Sequence, residues 1–416
     1  MISEIIVFVY LPGELEAVPA GTLTLTQIGK ELSSKFVYGS RYMQRSNAIE
    51  LDPISLPFKS VPRNAGEEIT PIAGLSVFGA FRDATPDAWG RRVIEKHLKA
   101  VNLPEIEYIK YSYDDRVGAL DFRDSPTAPP RQHPFNRVLD LQYLLDCADK
   151  IECDEPVPDD MLQMFNYGAS MGGARPKAVV EDNAGLWLAK FRARNDKFDY
   201  AKVESATLLL AKECGINIPE VRVQATGDAN IFLIKRFDRH KSGASYTRTH
   251  FISALTLLGK DESESLGSSY TDILTAIMRY GPKENSPMKK ELYRRMVFNI
   301  LVGNDDDHLR NHGFIYQDGC YCLSPVYDIV PAPAIATERY QHLNVGQYGR
   351  LATLNNALSQ CELFGLSKTQ ATVLIKEMQS IVSNWRTFFA EQGVSSKDVA
   401  VLEKAFHRAE TLPLNT

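Results

Sequence analysis

Two acids and an amide stand in this chain at a spacing that suits phosphoryl transfer. Asp306 and Asn311 lie in the run Gly303-Asn304-Asp305-Asp306-Asp307-His308-Leu309-Arg310-Asn311, reached from an apolar stretch at 297–302. Two short apolar runs, 313–316 and 321–323, then flank Gln317-Asp318-Gly319, and the second leads to Tyr327-Asp328. Asp-Gly between such runs signals a hairpin turn, so the later acid is presented where a hairpin ends. Transfer from ATP needs one carboxylate to accept or orient the proton of the attacking hydroxyl, and an Asn and a second Asp to hold Mg²⁺. The catalytic loop of protein kinases has the same acid-to-amide spacing, with its metal-binding Asp later in the chain. Asp and Asn are also ordinary turn residues, so an acidic surface loop is the competing reading of these positions alone.

Other candidates precede this loop in an order that favours the chemical reading. Tyr167-Gly168-Ala169-Ser170-Met171-Gly172-Gly173-Ala174-Arg175-Pro176-Lys177 is rich in small residues and runs directly into an apolar stretch at 178–180. A loop of that kind lets backbone N–H groups approach phosphate oxygens closely. The chain turns at Asp182-Asn183-Ala184-Gly185 and returns through 186–191 with Lys190, where a kinase carries the Lys that pairs the α- and β-phosphates. Glu204 follows near the start of the helical stretch 201–214, in the right order to brace that Lys.

The elements that must position these groups read as an α+β chain. Strands are expected at 2–10, 21–25 and 35–38, then a helix over 85–99 with Thr85 as N-cap and Pro86 at its first position. Arg91 and Arg92 on that helix read as a solvated face. Residues 121–134 carry four prolines without periodicity and read as a linker. Two further strands are expected at 218–223 and 230–237. Beyond residue 250 the apolar spacing is helical, at 250–259, 270–280, 286–302, 350–365, 368–391 and 395–410. The expected architecture is a two-lobed kinase-like fold: an N-terminal β-rich subdomain (1–120), the linker, an N-lobe (135–240) and a helical C-lobe (241–416), with the site in the cleft between lobes.

Length allows a large core, and a net charge of -5 leaves no global basic footprint for nucleic acid. No apolar run is long enough to span a bilayer and no signal pattern opens the chain, so a cytoplasmic protein without membrane attachment is expected. The six cysteines are scattered and read as reduced packing residues.

With these residues in view, the chain resembles the HipA family of bacterial toxin serine/threonine kinases. The likeness rests on Pro86-Asp87-Ala88-Trp89-Gly90-Arg91, Arg116-Val117-Gly118-Ala119-Leu120, residues 170–177, Val203-Glu204, residues 234–239, residues 303–311 and residues 325–328. It implies an ATP- and Mg²⁺-dependent protein kinase with Asp306 as base and Asn311 and Asp328 as metal ligands. The nucleotide would be met by Ser170, Met171, Gly172, Gly173, Ala174, Arg175 and Lys177, by Lys190 with Glu204, by the backbone at Lys235 and Phe237, and by Asp238 at the ribose. His308 takes the family's loop His position and is read as orienting the backbone around Asp306, with Asp305 and Asp307 solvated or capping. Ser170 is either a self-phosphorylation site that shuts activity down by placing negative charge in the phosphate site, or a small residue chosen for tight turning. The resemblance further implies a HipB-like helix-turn-helix antitoxin, contact with operator DNA only through it, a role in persistence, and an aminoacyl-tRNA synthetase as target, glutamyl-tRNA synthetase foremost. Pro176 departs from an all-donor phosphate loop, because it has no N–H. Two other functions fit the same residues: a small-molecule phosphotransferase of the aminoglycoside- or choline-kinase type, and a catalytically silent co-repressor that only binds partners.

Overall fold

The computed structural model describes residues 1–411 except 60–62, 65, 114–115, 132–135, 138–139, 159–160, 163–164, 166–172, 335 and 337. Two compact units emerge. The first holds Met1–Arg194, Lys235–Asp261 and Ile315–Gln317, and the second holds Asn195–Ile234, Glu262–Phe314 and Asp318–Thr416.

The first unit opens with an antiparallel sheet in the order Glu31–Tyr38, Ala17–Ile28, Ile2–Tyr10, Leu120–Arg123. Alternating side chains Ile5, Val7 and Val9 turn inward with Leu23, Leu25 and Phe36, so one face is buried as the period-2 pattern requires. Phe36, Phe78, Phe81 and Phe122 meet there at ring separations of 5.3–6.2 Å. The stretch 121–123, expected as linker, is instead part of the fourth strand. Phe122 joins the aromatic core, Arg123 neutralises Asp121 at 2.8 Å, and the prolines begin only at Pro126.

The helix expected over 85–99 spans Ala88–Leu98, and its cap is Asp87 rather than Thr85. Asp87 accepts the Gly90 N–H at 2.9 Å, whereas the Thr85 hydroxyl donates to Arg82 O at 2.7 Å. Arg91 and Arg92 are not a solvated face. Arg91 forks onto Glu105 at 2.9 and 2.6 Å with its guanidinium 4.3 Å from the Tyr108 ring, and Arg92 donates to Glu152 at 2.9 Å and Ile151 O at 2.8 Å. Strands Lys177–Asp182 and Gly185–Lys190 form the expected hairpin, antiparallel in full register. Where one helix was expected over 250–259, a strand Phe251–Ser253 precedes a short helix Ala254–Leu257. The buried Asp83 carboxylate fixes that switch, accepting the Ser253 N–H, the Ser253 hydroxyl and the Thr256 hydroxyl at 2.7–2.8 Å.

The second unit holds the helix Tyr200–Glu213, capped by Asp199, and the ladder that pairs Val221–Thr226 with 229–234. Helix Tyr270–Tyr280 starts on a Ser269/Asp272 capping box. The long helix Ser286–Val302 has Pro at its start and Gly303 at its C-cap. Strand Cys320–Leu323 follows the turn at Asp318 (φ 49°) and Gly319 (φ 84°), the left-handed pair that an Asp-Gly turn supplies. The stretch 350–365 is not one helix: Thr353 caps a short helix Leu354–Leu358, and a 3₁₀ turn covers Cys361–Phe364. Likewise 368–391 divides at Asn384 into Lys368–Ser383 and Trp385–Glu391. The final helix, Ser396–Thr411, brings Phe406 onto Trp385 in a stack with ring centroids 4.1 Å apart. Among the described residues no helix is long and apolar enough to cross a membrane, and all six cysteines are free thiols.

Gly303 is a position in this helical unit where a side chain has no room and the backbone is left-handed as well. Its φ is +69°, and an added Cβ would lie 2.3 Å from Arg339 Nη1 and 2.7 Å from Ala405 O. Gly303→Ala is expected to lower unfolding free energy by about 2–4 kcal/mol, a left-handed penalty plus a backbone clash. Denaturant titration reads this, and a loss under about 0.5 kcal/mol would contradict it.

Candidate functional site

The long helix Ser286–Val302 delivers the acidic loop from a buried base, with every residue from Arg295 to Val302 inside the unit. Gly303 then reverses the chain. Asn304 anchors the exit, its N–H donating to Asn299 O at 3.0 Å and its Nδ2 to Asn299 Oδ1 at 3.1 Å. Beyond it Asp305 and Asp306 are exposed, and the Asp306 side chain keeps 76 % of its accessible surface. Asn311 is buried and donates its Nδ2 to Asp306 O at 2.7 Å, while its N–H bonds to His308 O at 2.9 Å. With the amide nitrogen held on the loop, its oxygen is the atom left to face a cation. His308 brings Nε2 within 4.0 Å of Asp306 Oδ1, and its ring meets that of His342 edge-on at 5.7 Å.

The segment that carries the later acid is tied to this loop on either side of it. Tyr327, beside Asp328, donates its hydroxyl to Arg310 O at 2.8 Å, and Ala332 N–H bonds to Gly303 O at 3.0 Å. Asp328 is half-buried with φ +59°, a conformation that costs a non-glycine residue about 1 kcal/mol or more and recurs at functional sites.

Asp307 differs from its expected role. It is not solvated: the side chain is buried, accepts the Tyr270 hydroxyl on Oδ2 at 2.5 Å and takes the His342 N–H on Oδ1 at 2.8 Å. Asn299 Nδ2 in turn donates to the Tyr270 hydroxyl at 2.9 Å. Burial pushes the Asp307 carboxyl up to about 7, against the hydrogen bonds that favour its ionised form. His312, edge-on to the Tyr270 ring, is buried, and burial pulls its pKa down to about 3, so it is neutral.

In the first unit, Ser170, Met171 and Gly172 lie outside the described residues. Gly173, with φ +71°, begins the described part of the small-residue loop, and Arg175 Nη1 donates to Phe191 O at 3.3 Å. Lys177 was expected at the nucleotide, yet its ammonium is fully buried. It meets Asp87 Oδ2 at 2.5 Å and Gly173 O at 2.8 Å, and Lys177 O receives the Trp89 indole N–H at 3.0 Å. The Pro-Asp-Ala-Trp-Gly stretch is therefore the socket for the end of that loop. Lys177 stands directly opposite Lys190 across the hairpin, where two cations would repel, and Asp87 supplies the compensating charge.

Lys190 is 6 % exposed on its strand; Glu204 is buried on helix Tyr200–Glu213. Asp238, expected at the ribose, has no exposed surface. Its oxygens accept from Arg236 at 3.0 and 2.8 Å, Arg239 at 2.8 Å and the Gly118 N–H at 2.7 Å. These donors outweigh burial and hold its carboxyl well below the usual range, so Asp238 is a charged brace for the Arg116–Gly118 turn and not a ribose contact. Lys235 and Phe237 beside it are half-buried, the Phe237 ring 6.2 Å from that of Phe251.

Among the described residues no three His, Cys, Asp or Glu side chains gather as a metal site. The fit is to Mg²⁺ of the nucleotide-borne kind, which takes one or two protein ligands and completes its shell with phosphates and water. Asn311 and Asp328 would supply oxygen donors of that kind.

A helical unit carrying this loop, with a mixed α+β unit carrying the Lys190 hairpin, is the kinase fold found in HipA. The chain matches one chain of the Shewanella oneidensis MR-1 toxin–antitoxin complex of HipA, HipB and its operator DNA with a TM-score of 0.70 at 15% identity, covering 98% of this chain and 96% of that one. Residues 169–385, more than half of the chain, match the HipA-like C-terminal domain, and the protein belongs to that family. A Haemophilus influenzae protein named "Putative kinase" is 30% identical over 192 residues, 40% of this chain and 55% of that protein. The serine/threonine-protein kinase toxin HipA of Shewanella oneidensis is 24% identical over 184 residues, 39% of this chain and 42% of that protein. The chain thus spans about half the length of the curated relatives it matches.

The Asp307 carboxyl has a stability signature. Its folded-state pKa of about 7 lies above its ordinary value near 4, so the folded protein keeps a proton that the unfolded chain releases. That contribution is full below pH about 4 and is lost as pH rises to about 7. Tyr270, His342, His308, His312 and Arg295 are the other titratable groups around it. The melting temperature of the wild type should therefore fall more steeply than that of Asp307→Asn between pH 5 and 8. Parallel slopes would contradict the assignment.

Proposed function

We propose that this protein is an ATP·Mg²⁺-dependent protein serine/threonine kinase, the toxin of a HipA-type toxin–antitoxin pair. The observation that carries the reading is the closed acid–amide loop: Asn311 holds the Asp306 carbonyl at 2.7 Å, and Tyr327 ties the segment bearing Asp328 to the adjoining Arg310 carbonyl. A kinase needs an exposed carboxylate for the acceptor and oxygen ligands for magnesium on a rigid support, and this loop supports that reading. The names of the relatives support the same class.

In the proposed reaction Asp306 accepts the proton of a Ser or Thr hydroxyl. The hydroxyl oxygen bonds to the γ-phosphorus, and the bond from phosphorus to the bridging oxygen breaks with its electron pair leaving on ADP. Magnesium bound at Asn311 and Asp328 would neutralise charge on the phosphates. Lys190 would hold the α- and β-phosphates with Glu204 proposed as its brace, while the backbone at Lys235 and Phe237 would take the base. His308 sits 4.0 Å from Asp306, close enough to restrain it. Ser170 is proposed as the self-phosphorylated residue, since added charge in a phosphate-binding loop would repel ATP. The partner is proposed to be a HipB-like helix-turn-helix antitoxin, as in the matching Shewanella complex, and the target an aminoacyl-tRNA synthetase.

Incubation with γ-labelled ATP and Mg²⁺ should place label on Ser170, and Asp306→Ala should cut incorporation by about 100-fold or more. Ser170→Ala should lose self-labelling and still phosphorylate a protein acceptor. Full labelling of Asp306→Ala, or label only on small metabolites, would refute the proposal.

A further inference from the structure

We propose that Asp307, which touches no reacting atom, is the positioning residue that aims Asp306, by tying the underside of the loop to helix Tyr270–Tyr280 and to the backbone at His342. The inference rests on the kinase reading for its activity arm.

Loop residues 304–308 belong to no helix or strand, so no backbone ladder holds them. The side chain of Asp307 takes that part, joining three segments distant in sequence. One oxygen accepts the Tyr270 hydroxyl at 2.5 Å and the other accepts the His342 N–H at 2.8 Å. Both neighbouring segments are tied down independently. Tyr270 N–H bonds to Asn344 O at 3.1 Å, and the Tyr270 hydroxyl accepts from Asn299 Nδ2 at 2.9 Å. Ser265 adds a second link, accepting the Leu309 N–H at 3.2 Å and lying 3.1 Å from His342 Nε2. In extended loop backbone, neighbouring side chains leave on opposite sides. Asp307 is buried while Asp306, one residue before, is exposed, so fixing one carboxylate inward turns the other outward. The burial carries a cost: the desolvated carboxyl is pushed up to about 7, which an acid needed only for solubility would not sustain.

The variant Asp307→Asn keeps the shape and can still accept the His342 N–H. Its Nδ2, however, would point a donor at the Tyr270 hydroxyl, which already receives Asn299 Nδ2 and would lose the acceptor for its own proton. Tyr270→Phe removes the same bond from the other side.

The experiment measures phosphate transfer from ATP together with hydrogen exchange of the Leu309 and Asn311 amides in wild type, Asp307→Asn and Tyr270→Phe. Both variants should lower kcat about tenfold or more with the KM for ATP held within about twofold, as misplacement of a base by a fraction of an ångström does. Both should speed exchange of the two loop amides about tenfold while amides of helix Ser286–Val302 stay protected. Unchanged loop exchange overturns the proposal, as does acceleration spread equally over that helix, which marks a merely structural residue. A kcat within about twofold of wild type, with the loop loosened, overturns it too. A wild type that transfers no phosphate refutes the kinase reading instead, and the exchange arm then decides this inference alone.

Discussion

An exposed carboxylate can be aimed only if the backbone beneath it cannot move, and the 304–308 stretch has no ladder of its own to hold it still. The constraint is met by hydrogen bonds that leave the loop in several directions. Asn304 bonds back to Asn299, Asn311 closes on the Asp306 carbonyl, Tyr327 reaches Arg310, and Asp307 reaches down to Tyr270 and His342. Each is individually modest, about 1 kcal/mol net, and larger where a carboxylate accepts. Their value lies in overdetermination, because no single one can relax without straining the others. Strain is visible at Asp328, held at φ +59° by the bonds on either side of it.

The first unit applies the same logic with buried charge. The Lys177 ammonium is enclosed by Asp87 and Gly173 O, and Asp238 is enclosed by two arginines and the Gly118 N–H. Neither cluster is good evidence of added stability, since desolvation offsets most of the Coulomb attraction. Removing one partner is another matter: an orphaned buried charge costs about 3–5 kcal/mol. Such pairs therefore specify which backbone segments meet. One seats the end of the small-residue loop against the start of helix Ala88–Leu98, and the other seats the Arg116–Gly118 turn against the Phe237-Asp238-Arg239 exit.

What could be read from the sequence was local. The Asp318-Gly319 turn, the hairpin around Gly185 and the helix that ends at Val302 all follow from residues within a few positions of one another. What could not be read was set by partners far along the chain. Asp307 passes for a solvated acid until Tyr270, thirty-seven residues earlier, is seen to donate to it. Lys177 passes for a phosphate ligand until Asp87, ninety residues away, neutralises it. The strand at Phe251–Ser253 was hidden by helical apolar spacing and is imposed by Asp83, one hundred and seventy residues earlier. Asp238 misled for a related reason: its own neighbours Arg236 and Arg239 enclose it, and sequence order does not reveal that they turn inward together.

The account turns on the proposal that Asn311 and Asp328 hold magnesium beside the closed acid–amide loop. Calorimetric titration of a non-hydrolysable ATP analogue, with and without Mg²⁺, tests this most directly. In the wild type Mg²⁺ should tighten binding, and in Asn311→Ala/Asp328→Ala that enhancement should vanish while metal-free binding persists. An enhancement of equal size in the double variant would contradict the central claim.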